Sequence, residues 1–160
     1  MGSVNPKNKI MENFKFKELI VWQKSMAFTN ECLNVAESVK GHYRLIEQLE
    51  SASASIPQNI AEGQGRLSTK EIIHFFYIAR GSLYETITLL NLFFYKNLIP
   101  KEKLDALENI GIEISKMILA FISQKRKYIK NWLPLCRPSG ATVLPPLRGY
   151  RYQPTNLMAY

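Results

Sequence analysis

The chain has 160 residues and a mass of 18.4 kDa, and 46% of its residues are hydrophobic, which suits one domain with a substantial core. Its longest charge-free apolar stretch in the body, Thr86 to Tyr95, falls far short of the ~20 residues a membrane span needs. The opening residues also lack a basic region followed by an apolar run and a small-residue cleavage site, so neither membrane nor secretory signal is expected. The net charge is +8, yet residues 1–113 hold equal numbers of Lys/Arg and Asp/Glu, and no acid follows Glu113.

Residues 1–13 have no periodicity and are expected to form a flexible arm. From about Glu18 to Lys40 the pattern turns helical. Leu19, Trp22, Met26, Thr29, Leu33 and Ala36 repeat as a heptad stripe, and Val21, Phe28 and Val35, with Ser25 and Cys32 between them, run beside it. So wide an apolar face suits either the most buried helix of a monomer or one partly covered by another subunit. Gly41 reads as the stop.

A second helix starts near Tyr43 and carries Leu45, Ile46, Leu49, Ala52, Ile56 and Ile60. Its middle, Ser51-Ala52-Ser53-Ala54-Ser55, is small enough to let a neighbouring helix come close. Pro57 lacks an amide donor and is expected to kink or break the helix, and Gly63 and Gly65 to end it. Ser68-Thr69-Lys70-Glu71 has the form of a capping box for a third helix that runs to about Asn97. Ile72, Phe75, Phe76, Ala79, Ser82, Leu83, Thr86, Leu89, Leu90 and Phe93 form its expected inner face. Tyr77, Phe94 and Tyr95 spill around its sides, which suggests an oligomeric surface. Gly81 costs about 1 kcal/mol relative to Ala in mid-helix, and close helix contact is the expected gain. A fourth helix opens at Pro100 with Leu104, Leu107, Gly111, Ile114, Ile118 and Phe121 on one stripe, and finishes at Lys125-Arg126-Lys127, cations suited to the helix C-terminus.

The expected fold is all-α: an antiparallel up-down-up-down four-helix bundle over residues 14–130, with a Pro-rich, basic C-terminal tail over 131–160. The whole charge excess lies in Lys116, Lys125, Arg126, Lys127, Lys130, Arg137, Arg148 and Arg151. A polyanion partner and a solubilising helix end are equally good readings of charge alone. In the tail, Arg148-Gly149-Tyr150-Arg151-Tyr152 interleaves arginines with tyrosines, a mix that can stack on unpaired bases while pairing with phosphates; docking of those aromatics on the bundle is the alternative.

Catalytic patterns are lacking. Glu71-Ile72-Ile73-His74 matches a single Glu-x-x-His unit, and a di-iron bundle needs that unit twice plus two more carboxylates. Gly63-Gln64-Gly65-Arg66 lacks the Gly-Lys-Ser/Thr of a phosphate loop. No metal, cofactor or enzymatic activity is expected. Cys32 and Cys136 lie in unlike contexts, so a reducing cytoplasm is expected and a disulfide is not.

The chain resembles the "four helix bundle protein" family. That family includes proteins encoded in intervening sequences of bacterial 23S rRNA genes and the accessory variability proteins of diversity-generating retroelements. The matching residues are Leu19-Ile20-Val21-Trp22-Gln23-Lys24, Gln48, the run from Ser55 through Pro57, Asn59, Glu62, Gly63 and Gly65 to Arg66, and Ile78-Ala79-Arg80-Gly81-Ser82-Leu83-Tyr84-Glu85. The match covers about residues 14–127. It implies a subunit of a basic homopentameric ring; in the retroelement branch that ring binds a reverse transcriptase and template RNA. The reading adopted is a non-catalytic RNA-binding accessory protein of a reverse transcriptase. Its expected contacts are Lys116, Lys125, Arg126, Lys127 and Lys130, with Arg148, Tyr150, Arg151 and Tyr152 as a second set. A ribosomal RNA partner and a structural oligomer whose tail binds a protein are the two alternatives. Arg66 and Glu62 are expected to tie the corner to Glu85 or Arg80 on the third helix.

Overall fold

The computed structural model describes residues 14–132, with side chains through residue 127. A 3-10 turn over Lys15–Glu18 leads into α1 (Ile20–Ser38), α2 (Tyr43–Gln64), α3 (Thr69–Tyr95) and α4 (Lys101–Trp132). Each helix packs on its neighbours in sequence, α4 closes on α1, and among the described residues the backbones of the diagonal pairs stay apart. This is the expected up-down-up-down bundle, and the short loops make each neighbour antiparallel.

Every helix sends one stripe inward. Phe28, Phe76, Phe93, Leu49, Ile56, Ile60, Leu90, Ile114 and Ile118 are fully buried. Phe76 of α3 stacks on Phe121 of α4 with ring centroids 4.1 Å apart. On α1 the two expected stripes exchange ranks. Val21, Ser25, Phe28, Cys32 and Val35 form the buried seam; of the first stripe only Thr29 and Ala36 are buried, Leu19, Trp22 and Leu33 are half-buried and Met26 is exposed. Both stripes have heptad spacing, so position in the bundle, not periodicity, selects between them.

Local expectations fail at several helix ends. Chain entry is a 3-10 turn, held by Gln23 Nε2 donating to the Lys17 carbonyl at 2.8 Å, and α1 proper begins only at Ile20. Ser68 takes the extended N-cap conformation but makes no side-chain cap hydrogen bond, so the capping box does not close. Gly41 and His42 both have positive φ, 75° and 53°, which turns the chain between α1 and α2. The fourth helix continues past Lys127 to Trp132.

The serine-rich corner is built much as its composition suggests, with one difference. α2 runs through Pro57 and Gly63 to Gln64 instead of breaking at the proline. Thr29 of α1 donates its hydroxyl to the Ser53 carbonyl at 2.8 Å, four residues before Pro57. Ser55 Oγ meets Ser82 Oγ of α3 at 2.9 Å, and Asn59 Nδ2 donates to the Ser55 carbonyl at 2.7 Å. Small hydroxyls thus bridge α2 to both neighbours where long side chains would hold the helices apart.

Candidate nucleic-acid interface

Antiparallel packing carries the start of α1, the end of α2, the start of α3 and the end of α4 to one pole of the bundle. Lys15 and Lys17 arrive on the 3-10 turn, Arg66 and Lys70 at the α2–α3 corner, and Lys125, Arg126, Lys127 and Lys130 on α4. Against these eight cations the three segments carry only Glu18, Glu62 and Glu71. Glu62 is itself engaged by Arg66 one turn on. The loops at the opposite pole mix Lys40, Arg44, Lys96 and Lys101 with Glu37, Glu47, Glu102 and Asp105, so little net charge gathers there.

Several cations at the basic pole lie over aromatic rings. Lys125 Nζ is 5.2 Å from the Phe121 centroid, Arg126 is 5.6 Å from Tyr77, and Arg66 is 4.7 Å from Phe75. Such contacts position the stems while leaving the charges at the surface. Phe14 and Leu67 are exposed beside them, Leu67 completely. Because α4 runs on to Trp132, Lys125, Arg126 and Lys127 stand more than a turn before its C-terminus, so the expected pairing of these cations with the helix dipole is weak.

Lys116 stands apart from this cluster. It is exposed on the middle of α4 and lines a cavity of about 290 Å³ between α3 and α4 with Leu83, Tyr84, Ile87, Gly111 and Ile112. Lys130 belongs to α4, and Arg148, Tyr150, Arg151 and Tyr152 lie outside the described residues, as does Cys136. Lys15, Lys17 and Lys70 are additions that charge patterning along the chain missed. They sit in charge-balanced sequence, and only the antiparallel topology sets them beside α4.

The motif residues are structural in their contacts. Pro57 and Gly63 are buried, and Asn59 bonds within the corner. A Cβ on Gly63 would come within 3.1 Å of Phe75 Cβ, so this glycine lets α3 approach. At the end of α2 the Gly65 N–H is shared by the Ala61 and Glu62 carbonyls, and the Arg66 N–H donates to the Gly63 carbonyl. Neither Arg66 nor Glu62 reaches Glu85 or Arg80: the two pair with each other, and Arg66 ties the corner to α3 through Phe75 instead. Glu85 is exposed. Arg80 lies over Tyr84 and donates to its hydroxyl at 2.7 Å, and its Nε is shielded with no acceptor among the described residues. Gly81 faces solvent with nothing within 4 Å of an added Cβ, which removes the expected close helix contact.

Among the described residues no group of three or more His, Cys, Asp or Glu is placed to hold a metal ion, and no helix is long and apolar enough to cross a membrane. Cys32 is buried as a free thiol, which burial pushes up to about 12. His74 is exposed.

A family model described as 23S rRNA-intervening sequence protein matches residues 17–120. The match takes in the core and corner and stops before the cations at the end of α4. The chain is also similar to the crystal structure of a protein with unknown function from the S23 ribosomal protein family from Bacteroides thetaiotaomicron. The two are 24% identical, with a TM-score of 0.60, over 64% of this chain and 98% of the other, a likeness of fold. No curated protein matches.

Proposed function

Because the chain belongs to the 23S rRNA-intervening sequence protein family, we propose that it is a non-catalytic protein whose basic pole grips the phosphate backbone of RNA. The observation that carries this reading is the convergence of Lys15, Lys17, Arg66, Lys70, Lys125, Arg126, Lys127 and Lys130 from three chain segments. Phosphate neutralisation by such a cluster releases counterions and makes affinity depend steeply on salt. The family's description favours ribosomal RNA as the RNA in question.

The retroelement reading gives the same pole a different context, a homopentameric ring that holds template RNA and a reverse transcriptase. Exposed Ile20, which lines an open groove with Leu19, Met117 and Ala120, and exposed Met26 farther along α1 support self-association. Five copies of a +8 chain would carry +40. In a third reading the chain is a structural oligomer whose residues 131–160 capture a protein.

RNA affinity measured against salt tests the proposal. Each neutralised phosphate adds about 0.7 to 0.9 to the logarithmic slope, so replacing Lys125, Arg126 and Lys127 by Ala together should flatten it by about 2 to 3. A slope near zero in the native chain sinks the reading. Light scattering, the identity of co-purifying RNA or polymerase, and the neighbouring gene separate the contexts.

A further inference from the structure

We infer that the outer face between Tyr77 and Tyr84, where α3 meets α4, is a stacking platform for unpaired RNA bases. This rests on RNA being the partner and adds the form of RNA that is bound. Tyr84 is 55% and Tyr77 38% exposed, large aromatic areas for a helix face turned to water. Each ring already has a guanidinium against it: Arg80 at 4.7 Å from Tyr84 and Arg126 of α4 at 5.6 Å from Tyr77. The Arg80 bond to the Tyr84 hydroxyl, 2.7 Å, fixes that ring's direction before any ligand arrives, so less side-chain freedom is lost on binding.

The two tyrosines lie seven residues apart on one helix, about 10.5 Å along its axis. Between them Gly81 presents bare backbone, with nothing within 4 Å of where a Cβ would stand. Next to Tyr84 the mostly apolar cavity of about 290 Å³ opens at Gly111, with Lys116 among its lining residues. A splayed nucleotide has the matching chemistry, a flat heterocycle for the apolar wall and a phosphate for the ammonium.

The charges flanking this face favour nucleic acid over a protein partner. Arg80, Lys116 and Arg126 flank it, against the carboxylates of Glu108, which lines the cavity and accepts from Asn91, and of Glu85, exposed beside Tyr84. Arg126 also belongs to the basic pole, so a strand held there by its phosphates leads directly onto the tyrosines. A duplex keeps its bases stacked on one another and offers this face phosphates, 2′-hydroxyls and base edges but no free base plane.

The test compares the full chain with a Tyr77→Leu/Tyr84→Leu variant, which keeps apolar bulk and removes both rings. Fluorescence anisotropy would follow a single-stranded oligouridine and a duplex RNA of equal length. The expected result is a loss of roughly tenfold or more for the single strand. Duplex affinity and both salt slopes should stay unchanged. Equal losses for both RNAs, or none for either, overturn the stacking role while RNA binding by the basic pole stands. A drop in particle mass on light scattering with single-strand affinity intact also overturns it, and makes the face a subunit contact. Native chain that binds neither RNA overturns the RNA reading itself, and the stacking role with it.

Discussion

The hydroxyl of Thr29 donates to the carbonyl of Ser53 at 2.8 Å, the carbonyl that Pro57 would have capped had it possessed an amide. In an α-helix the donor for residue 53 is the N–H of residue 57, and proline has none. A neighbouring helix therefore supplies the missing donor, and α2 continues to Gln64. Both side chains at this contact are buried. Thr29→Val should cost about 1–2 kcal/mol by leaving a buried carbonyl unpaired. In a Pro57→Ala background the restored amide takes that place, and the penalty should shrink by about 1 kcal/mol. Urea denaturation of the double-mutant cycle measures the coupling; equal penalties in both backgrounds would refute it.

Two glycines that look alike along the chain should respond oppositely to alanine. Gly63 faces Phe75 Cβ at 3.1 Å and the Ile72 carbonyl at 3.4 Å from an added Cβ, atoms anchored to the α3 backbone. Crowding there, about 1–3 kcal/mol, exceeds the gain of about 1 kcal/mol in helix propensity, so Gly63→Ala should destabilise. Gly81 meets nothing, and Gly81→Ala should stabilise by up to about 1 kcal/mol. Thermal and denaturant midpoints of the two variants decide this.

Cys32 should resist thiol reagents in the folded protein. Burial pushes it up to about 12 from an ordinary 9.0, with Lys103 opposing the shift and Glu31 adding to it. A folded-state value above the unfolded one means that stability is fully present below about 9.0 and is lost as pH rises toward about 12. Labelling kinetics of a Cys136→Ser variant report Cys32 alone. Fast modification of native protein at neutral pH would contradict the buried thiol.

At acid pH the ion pairs between helices should titrate with the opposite sign. Hydrogen bonding to Lys103 holds Glu31 below its ordinary value of 4.5, and Lys24 does the same for Glu113. Their contribution is present above 4.5 and lost as pH falls through the depressed values. Lys103→Met should return Glu31 toward its ordinary titration, followed by carboxyl NMR. An unchanged Glu31 titration would remove Lys103 as the cause.

If three segments share the basic pole, cations from the charge-balanced part of the sequence should matter to RNA as much as those on α4. Replacing Lys15, Lys17 and Lys70 by Gln should flatten the salt slope of RNA binding by about 2 to 3. The same change at Lys40, Arg44 and Lys96, on the opposite pole, should leave it unaltered. Equal effects at both poles would mean that only total charge counts.

The bundle was legible in the sequence because helical periodicity, glycine and proline stops and short connections are local signals. They identify four helices and most of the inner residues of α2, α3 and α4. The serines of the corner were legible as a place where helices approach because they are small, whereas Pro57 and Gly63 do not stop α2 and Gly81 makes no close helix contact. Which of the two stripes on α1 faces inward was not legible, because Val21 and Leu19 repeat with equal regularity and only the neighbours choose between them. Nor could the chain alone say that Thr29 rescues Pro57, a pairing of residues 28 positions apart through the Ser53 carbonyl. The last third announced its charge, but the pole that gathers Lys15, Arg66 and Lys70 beside Lys125 exists only once antiparallel packing folds distant segments together. Composition determines how much charge the protein has; tertiary structure decides where that charge acts, because electrostatic attraction depends on distance in space and not along the chain.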